Sequence, residues 1–398
     1  MSYRKLFKNL RATMSSIQES NDIYSIIKVI ITSLINKEAA EEFGVIGARV
    51  YKKADGYYEL ISKYGNSGKV KIGYKIPMDY AGVTRAIEEG YLFMSPNDPG
   101  YDKKLEMPIG LKPFAAIVLG ENNEFMISFS LLRSFDKEKI IYFLGTIKHL
   151  ADSKIKQQHF ENAIYEAKRI QKSLFPDKLP SLEGFDINAV SIPSEIIGGD
   201  VYDFIPISEV IMGIAVADVS GHGIAAALQT RDVVIGLRMG MEEDLKIVKT
   251  IEKLNKVVHR GRLTSKFIAL FYGEIEKNGT LVYCNAGLVP PLLFKKHYIK
   301  ELATGGPIIG PKLDARYERE FSQMEKDDIL VIFTDGLIET TNENNEEYGT
   351  ARLKHLIMNN KHKNSKELTN LILEDVANFR GANKQNDDLT LVIVKKII

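Results

Sequence analysis

Cysteine is all but missing: Cys284 is the single one in 398 residues. One thiol cannot build an internal disulfide framework or a cysteine zinc cage, which fits a reducing compartment. An excess of either charge is missing too. Lys and Arg number 53 against 52 Asp and Glu, which argues against a nucleic-acid binder that relies on a broad basic surface. No apolar run reaches the roughly 18 residues of a membrane helix. Tyr24–Ile35 is broken by Lys28, and Val210–Val219 is too short. The N-terminus lacks the apolar core of a secretory signal. These absences read as a cytoplasmic protein with no nucleic-acid partner and no membrane span. What remains is an ordinary globular composition, 44% apolar and 26% charged, on a chain long enough for two or three domains.

The pattern divides into three segments. Residues 1–135 open with a helical stripe, Ile23, Ile26, Ile27, Ile30, Ile31 and Leu34, at spacings of three and four. Strand-like runs follow at Gly47–Tyr51, Tyr57–Ile61, Lys69–Ile76, Phe114–Leu119 and Glu124–Leu131, with a helix over Tyr80–Glu89 and a hairpin turn at Asp55-Gly56. This predicts a small α+β domain. Residues 136–176 predict one long helix. Phe160, Ala163, Ala167, Ile170 and Leu174 form a coiled-coil seam, continued upstream by Ile140, Leu144, Ile147 and Ala151, and Pro176 ends it. Such a seam serves either a parallel homodimer or packing on the chain's own domain. Residues 177–398 place strands before and after two consecutive helices, His222–Met239 and Asp244–Arg260, an α+β order.

The third segment sets aspartates beside glycines at strand ends. They are Asp200 after Gly198-Gly199, Asp218 before Val219-Ser220-Gly221-His222-Gly223, Asp335 before Gly336, and Asp387-Asp388 before the last strand. A carboxylate at the edge of a buried strand is costly unless compensated, and several together repel. A hard dication answers both problems, and oxygen-only ligation points to Mg²⁺ or Mn²⁺ rather than zinc. Each Asp alone reads first as a turn former; the repeated context is what points to metal. Two such ions suit hydrolysis of a phosphate ester by water, without a side-chain nucleophile. Other nucleophile routes fail: Pro290 stands where a cysteine phosphatase loop built on Cys284 needs Arg, and there is no Gly-x-Ser-x-Gly elbow.

Several look-alikes carry less. Gly221–Ala226 fits a dinucleotide fingerprint, with Glu242–Asp244 about twenty residues on, but a second helix follows where a parallel strand is required. Gly305–Gly310 resembles a phosphate loop but has Pro311 in place of Lys. His222 reads as a general acid or as a packing residue at a helix start. Asn285-Ala286-Gly287 either places an amide near the site or makes a turn.

The ordered motifs Gly-Gly-Asp-x-Tyr-Asp-Phe (198–204), Asp-Val-Ser-Gly-His-Gly (218–223), Asn-Ala-Gly (285–287), Thr-Asp-Gly-Leu-Ile-Glu (334–339) and Asn-Asp-Asp-Leu-Thr (386–390) resemble the PPM metal-dependent protein phosphatases. The resemblance is closest to their bacterial SpoIIE-like and RsbU-like serine phosphatases, and it covers about residues 165–398. It implies an αββα sandwich around two Mn²⁺ or Mg²⁺ ions. Asp218 would bridge them, with the Val219 carbonyl, Asp335 and Asp387 completing the shells and Asp200 binding directly or through water; Asp387 rather than Asp388 matches the family ligand. The implied reaction is hydrolysis of phosphoserine or phosphothreonine on a partner protein, usually a STAS-type anti-sigma-factor antagonist. A phosphatase-like scaffold that binds phosphoprotein without hydrolysis is the alternative. Leu288 stands where the family has His, and no implied ligand is lost. The first segment resembles a GAF domain with no identified ligand. Asn36-Lys37-Glu38 does not continue into the motif of cyclic-nucleotide GAF domains, and the segment has no cysteine for a bilin.

Overall fold

The computed structural model describes residues 3–35, 43–132, 136–221, 223–242, 246–261 and 267–398. The chain divides into two compact units, Met1–Ala163 and Ile164–Ile398.

The first unit opens with helices α1 (Tyr3–Gln18) and α2 (Ile23–Ile35). An antiparallel six-stranded sheet follows, in the order β3-β2-β1-β6-β5-β4. Its strands are β1 (Val45–Ala54), β2 (Tyr57–Gly65), β3 (Lys75–Pro77), β4 (Tyr91–Met94), β5 (Phe114–Leu119) and β6 (Phe125–Leu131). Every residue of β5 and β6 is buried, because both sheet faces are covered. The α2 stripe Ile26, Ile27, Ile30, Ile31 and Leu34 packs on one face with Ala48, Val50, Ile117, Ile127 and Phe129. Tyr51, Tyr58, Leu92 and Phe114 face the other way, with Val83 and Ala86 of helix α3 (Ala81–Glu89). Helix α4 (Lys103–Glu106) follows.

Helix α5 runs unbroken over Lys137–Lys172. Its two ends behave differently. Ile140, Phe143, Leu144, Ile147, Ala151 and Ile155 are buried in the core of the first unit. The upstream part of the expected coiled-coil seam is therefore intradomain packing. Phe160 and Ile170, further along, are 64% and 55% exposed.

The second unit holds two sheets. One runs β14-β11-β10-β9-β8, with β15 added beside β11; the other runs β13-β12-β16-β17-β7. The strands used below are β7 (Phe185–Ile192), β8 (Asp200–Pro206), β9 (Ile211–Val219), β10 (Ile268–Glu276), β11 (Thr280–Ala286), β16 (Ile329–Phe333) and β17 (Leu389–Lys396). Side chains alternate across each strand. Leu330 and Ile332 of β16 enter the core between the sheets, with Val216, Phe271 and Tyr283. Val331 and Phe333 face the opposite layer, built with Leu353 and Ile357 of α9 (Gly349–Asn359) and Leu368 and Ile372 of α10 (Ser365–Arg380). The first sheet's outer face is covered by Val233, Val234 and Leu237 of α6 (Ile224–Glu242) and Ile251 and Leu254 of α7 (Ile247–Arg260). The order is helix, sheet, sheet, helix, an α+β sandwich.

Two local readings need correction, and the rejected dinucleotide fingerprint stays rejected. Lys69–Ile76 is not one strand: Gly73 takes φ +86°, and only Lys75–Pro77 pair. The helix α1 and the short strands β4, β12 (Leu292–Phe294), β13 (Ile299–Glu301), β14 (Gly305–Gly306) and β15 (Glu320–Gln323) were not anticipated. The strands are too short to show a period, whereas α1 has one, Leu10, Met14 and Ile17 at spacings of four and three, that the sequence reading passed over. The Gly221–Ala226 fingerprint has no βαβ context, since β9 pairs antiparallel with both β8 and β10.

Candidate active site

The site forms where ends of the two sheets meet. Asp200 opens β8 directly across from Asp218 near the end of β9. Asp335 begins the one-turn helix α8 (Asp335–Ile338) right after β16. Asp387 and Asp388 precede β17, which pairs with β16. Thr334 ties the sheets together: its hydroxyl donates to Asp200 Oδ2 at 2.7 Å and accepts from the Thr390 amide at 2.9 Å. Glycine is required where backbones crowd. A Cβ on Gly199 would stand 2.5 Å from the Val219 carbonyl, and one on Gly336 would stand 2.0 Å from the Asp388 carbonyl.

The electrostatics follow from that crowding. Asp218 is pushed up to about 7, first by burial and then by the charges of Asp335, Asp387, Asp388 and Glu339. Asp200 is driven well above the usual carboxylate range by burial and by Asp218, against the opposing pull of Thr334 and Thr390. Burial and Asp387 raise Asp335, while the Gly336 amide draws it back. This is a field that favours protons or cations. Among the described residues, no three acidic, histidine or cysteine side chains stand close enough to form a ready metal cage. The donor chemistry still fits a hard dication: it is all oxygen, acidic, and carries charge in excess of its neighbours.

Asp388 behaves differently from the others. One oxygen accepts from the Ser194 amide at 2.7 Å and its hydroxyl at 3.0 Å, and the other accepts from the Gly199 amide. It is 4% exposed and fastens the 198–200 turn. Asn285 makes a turn: its amide donates to the Leu288 and Leu302 carbonyls at 3.0 and 3.1 Å and accepts from the Leu288 amide at 2.8 Å. Leu288 lies in the core between the sheets. Cys284 is buried and its thiol is pushed up to about 12, so it is no nucleophile. His222 and the Asp244 start of the second helix lie outside the described residues.

Three groups escaped the sequence reading. Glu339 stands one helical turn after Asp335, and burial and the Asp335 charge raise its carboxyl. The i, i+4 spacing within the 334–339 motif is the signal that could have found it. Asp203, 1% exposed, accepts two bonds from Arg238 of α6, at 2.9 and 3.0 Å. Gln171, in the last turn of α5, accepts from the Gly198 amide at 3.3 Å and donates to its carbonyl at 2.5 Å. Nothing local in the sequence marks Gln171, because its partner is 27 residues away.

The layered fold with acidic strand ends is that of the PP2C-type phosphatases. It is shared with the SiaA-PP2C domain of Pseudomonas aeruginosa at a TM-score of 0.54 and 18% identity, covering 60% of this chain and 98% of that one. Within that class, residues 209–396 match the model of the family "Stage II sporulation protein E (SpoIIE)". Over that segment the chain is similar to the SpoIIE-family, PP2C-type serine phosphatases. Phosphoserine phosphatase RsbU of Bacillus subtilis is 29% identical over 243 residues, 60% of this chain and 72% of that protein. Phosphoserine phosphatase RsbP of the same organism is 24% identical over 57% of this chain and 56% of its own length. Among the described residues, no helix is long and apolar enough to cross a membrane.

Proposed function

We propose that the chain is a Mg²⁺- or Mn²⁺-dependent protein serine/threonine phosphatase of bacterial signalling. Its substrate is a phosphoprotein of the STAS-type anti-sigma-factor antagonist class, and its 177–398 domain is governed by the 1–135 domain through the 136–176 helix. The observation that carries the reading is Asp218, a carboxylate raised to about 7 among four other acidic groups. A cluster of this kind is stabilised by positive charge. Asp200, Asp218, the Val219 carbonyl, Asp335 and Asp387 are the groups that would hold two dications. Such ions activate water and neutralise phosphoryl oxygens when bound. Thr334 orients Asp200, and Asp388 holds the glycine turn from which Asp200 projects. RsbU and RsbP, both named phosphoserine phosphatases, support the reaction class.

Regulation through α5 is supported by two contacts at its end. Gln171 grips Gly198, two residues before Asp200, and Phe175 packs on Tyr202 with ring centres 5.1 Å apart and planes tilted by 58°. The test is phosphate release from a phosphoserine-bearing STAS protein during a Mn²⁺ titration. Turnover should rise with Mn²⁺ in the wild type and fall by a factor of about 100 or more in Asp218→Asn. Equal turnover in both would refute the assigned site. Binding of the phosphoprotein without turnover in either would identify a scaffold.

A further inference from the structure

The mouth of the carboxylate site carries an apolar side chain that the metal reading does not use. Phe267, the residue before β10, is 43% exposed. Its backbone is fixed on both sides of the peptide. The Phe267 carbonyl accepts from the Ser220 amide at 2.9 Å, and the Phe267 amide donates to Ser220 Oγ at 2.9 Å. These bonds extend the β9–β10 ladder by one pair, because Ile268 already lies across from Val219 and Ala269 from Asp218.

The register decides which way Phe267 faces. Residues directly paired in an antiparallel ladder share a face, and so do residues two apart on one strand. Phe271 and its partner Val216 lie in the core between the sheets. Ala269, across from Asp218, packs partly against the same core. The row on β10 therefore runs Phe271, Ala269, Phe267 from the core outward, beside Val216, Asp218, Ser220 on β9. Phe267 is where the apolar row leaves the core, about 7 Å along the strand from the residue that faces Asp218. Single exposed apolar side chains are ordinary on a protein surface. This one is set apart by its row, which ends among the carboxylates.

We propose that Phe267 is a specificity-determining residue, its ring packing on an apolar side chain that flanks the phosphoserine of the substrate protein. The proposal rests on the reading of the carboxylates as a phosphatase site and names what that site selects. Phosphate lies at the tip of its side chain, so a phosphoserine that reaches the carboxylates leaves its backbone and its neighbours at the mouth. An apolar neighbour there takes the exposed side of Phe267 out of water. An acidic neighbour would instead meet the charges of Asp335, Asp387 and Glu339 that act on Asp218.

Turnover of two phosphoserine peptides by the full chain in Mn²⁺ tests this. One peptide carries leucine on both sides of the phosphoserine, the other alanine. The readout is the ratio of kcat/KM for the two, which does not depend on how much of a variant is folded. The wild type should favour the leucine peptide by about fivefold or more. Phe267→Leu, which keeps an apolar side chain, should retain a preference, and Phe267→Ala should bring the ratio down to about one. The proposal is overturned by a wild type without the preference, or by a preference that survives in Phe267→Ala. Para-nitrophenyl phosphate, which has no flanking residues, separates that failure from failure of the site itself. A wild type that hydrolyses this ester, with Asp218→Asn inactive, yet does not favour the leucine peptide keeps the carboxylate site and loses the Phe267 assignment. A wild type that hydrolyses neither ester nor peptide overturns both.

Discussion

At the scale of single residues, the aspartates are distinguished by what surrounds them. Asp388 spends its oxygens on Ser194 and the Gly199 amide, whereas Asp218 is surrounded by like charge. This has a consequence for stability. An unfolded Asp titrates near 4, and Asp218 is raised to about 7 in the fold. Between those values the folded state binds the extra proton. Its contribution to stability is therefore full below about pH 4 and is lost as pH rises through about 7. In chelator, the wild type should lose stability relative to Asp218→Asn between pH 5 and pH 8, on the order of 2 kcal/mol. Urea titrations of both proteins at the two pH values check the sign. A difference that does not change with pH would contradict it.

Between elements, the site depends on contacts made far along the chain. The bidentate bond from Arg238 to the buried Asp203 holds α6 to β8. Arg238→Ala leaves that carboxylate unpaired and should cost about 2 kcal/mol or more, read as a lower urea midpoint. Gln171→Ala should lower phosphatase turnover severalfold with little change in the urea midpoint, since it frees the Gly198 turn but leaves the sheets intact. Equal losses of turnover and stability would assign Gln171 a merely structural role.

Much of this architecture was legible as pattern. The α2 stripe shows a clear period, Asp55-Gly56 shows turn chemistry, and the long strands β9, β10 and β17 show as apolar runs. Strands of two to four residues show neither, while α1 does carry a stripe, Leu10, Met14 and Ile17, among polar residues. The strand-end aspartates were visible as a repeated context. Their separate surroundings were not, because Thr334, Ser194 and Gly199 reach them only across the fold. The same holds for Arg49 and Glu106, which are unremarkable charges in the sequence and become buried only when the fold brings the 103–106 helix over the sheet that contains β1.

Across the whole chain, α5 is continuous while only the first half of its apolar stripe is covered. The first half is used up by the core of the first unit. Phe160 and Ile170 remain exposed on the second half, at the seam positions of a parallel pair. We propose a homodimer through this stretch. Sedimentation should give a dimer for the wild type and a monomer for the double variant Phe160→Glu, Ile170→Glu. A monomeric wild type at tens of micromolar would remove the dimer without touching the site.

The most direct measurement counts ions. Isothermal titration of the metal-free full chain with Mn²⁺ should give two ions per chain, with at least one lost in Asp218→Asn. A wild-type chain that takes up no Mn²⁺, or a variant that binds as the wild type does, would contradict the idea that these strand-end carboxylates converge on metal.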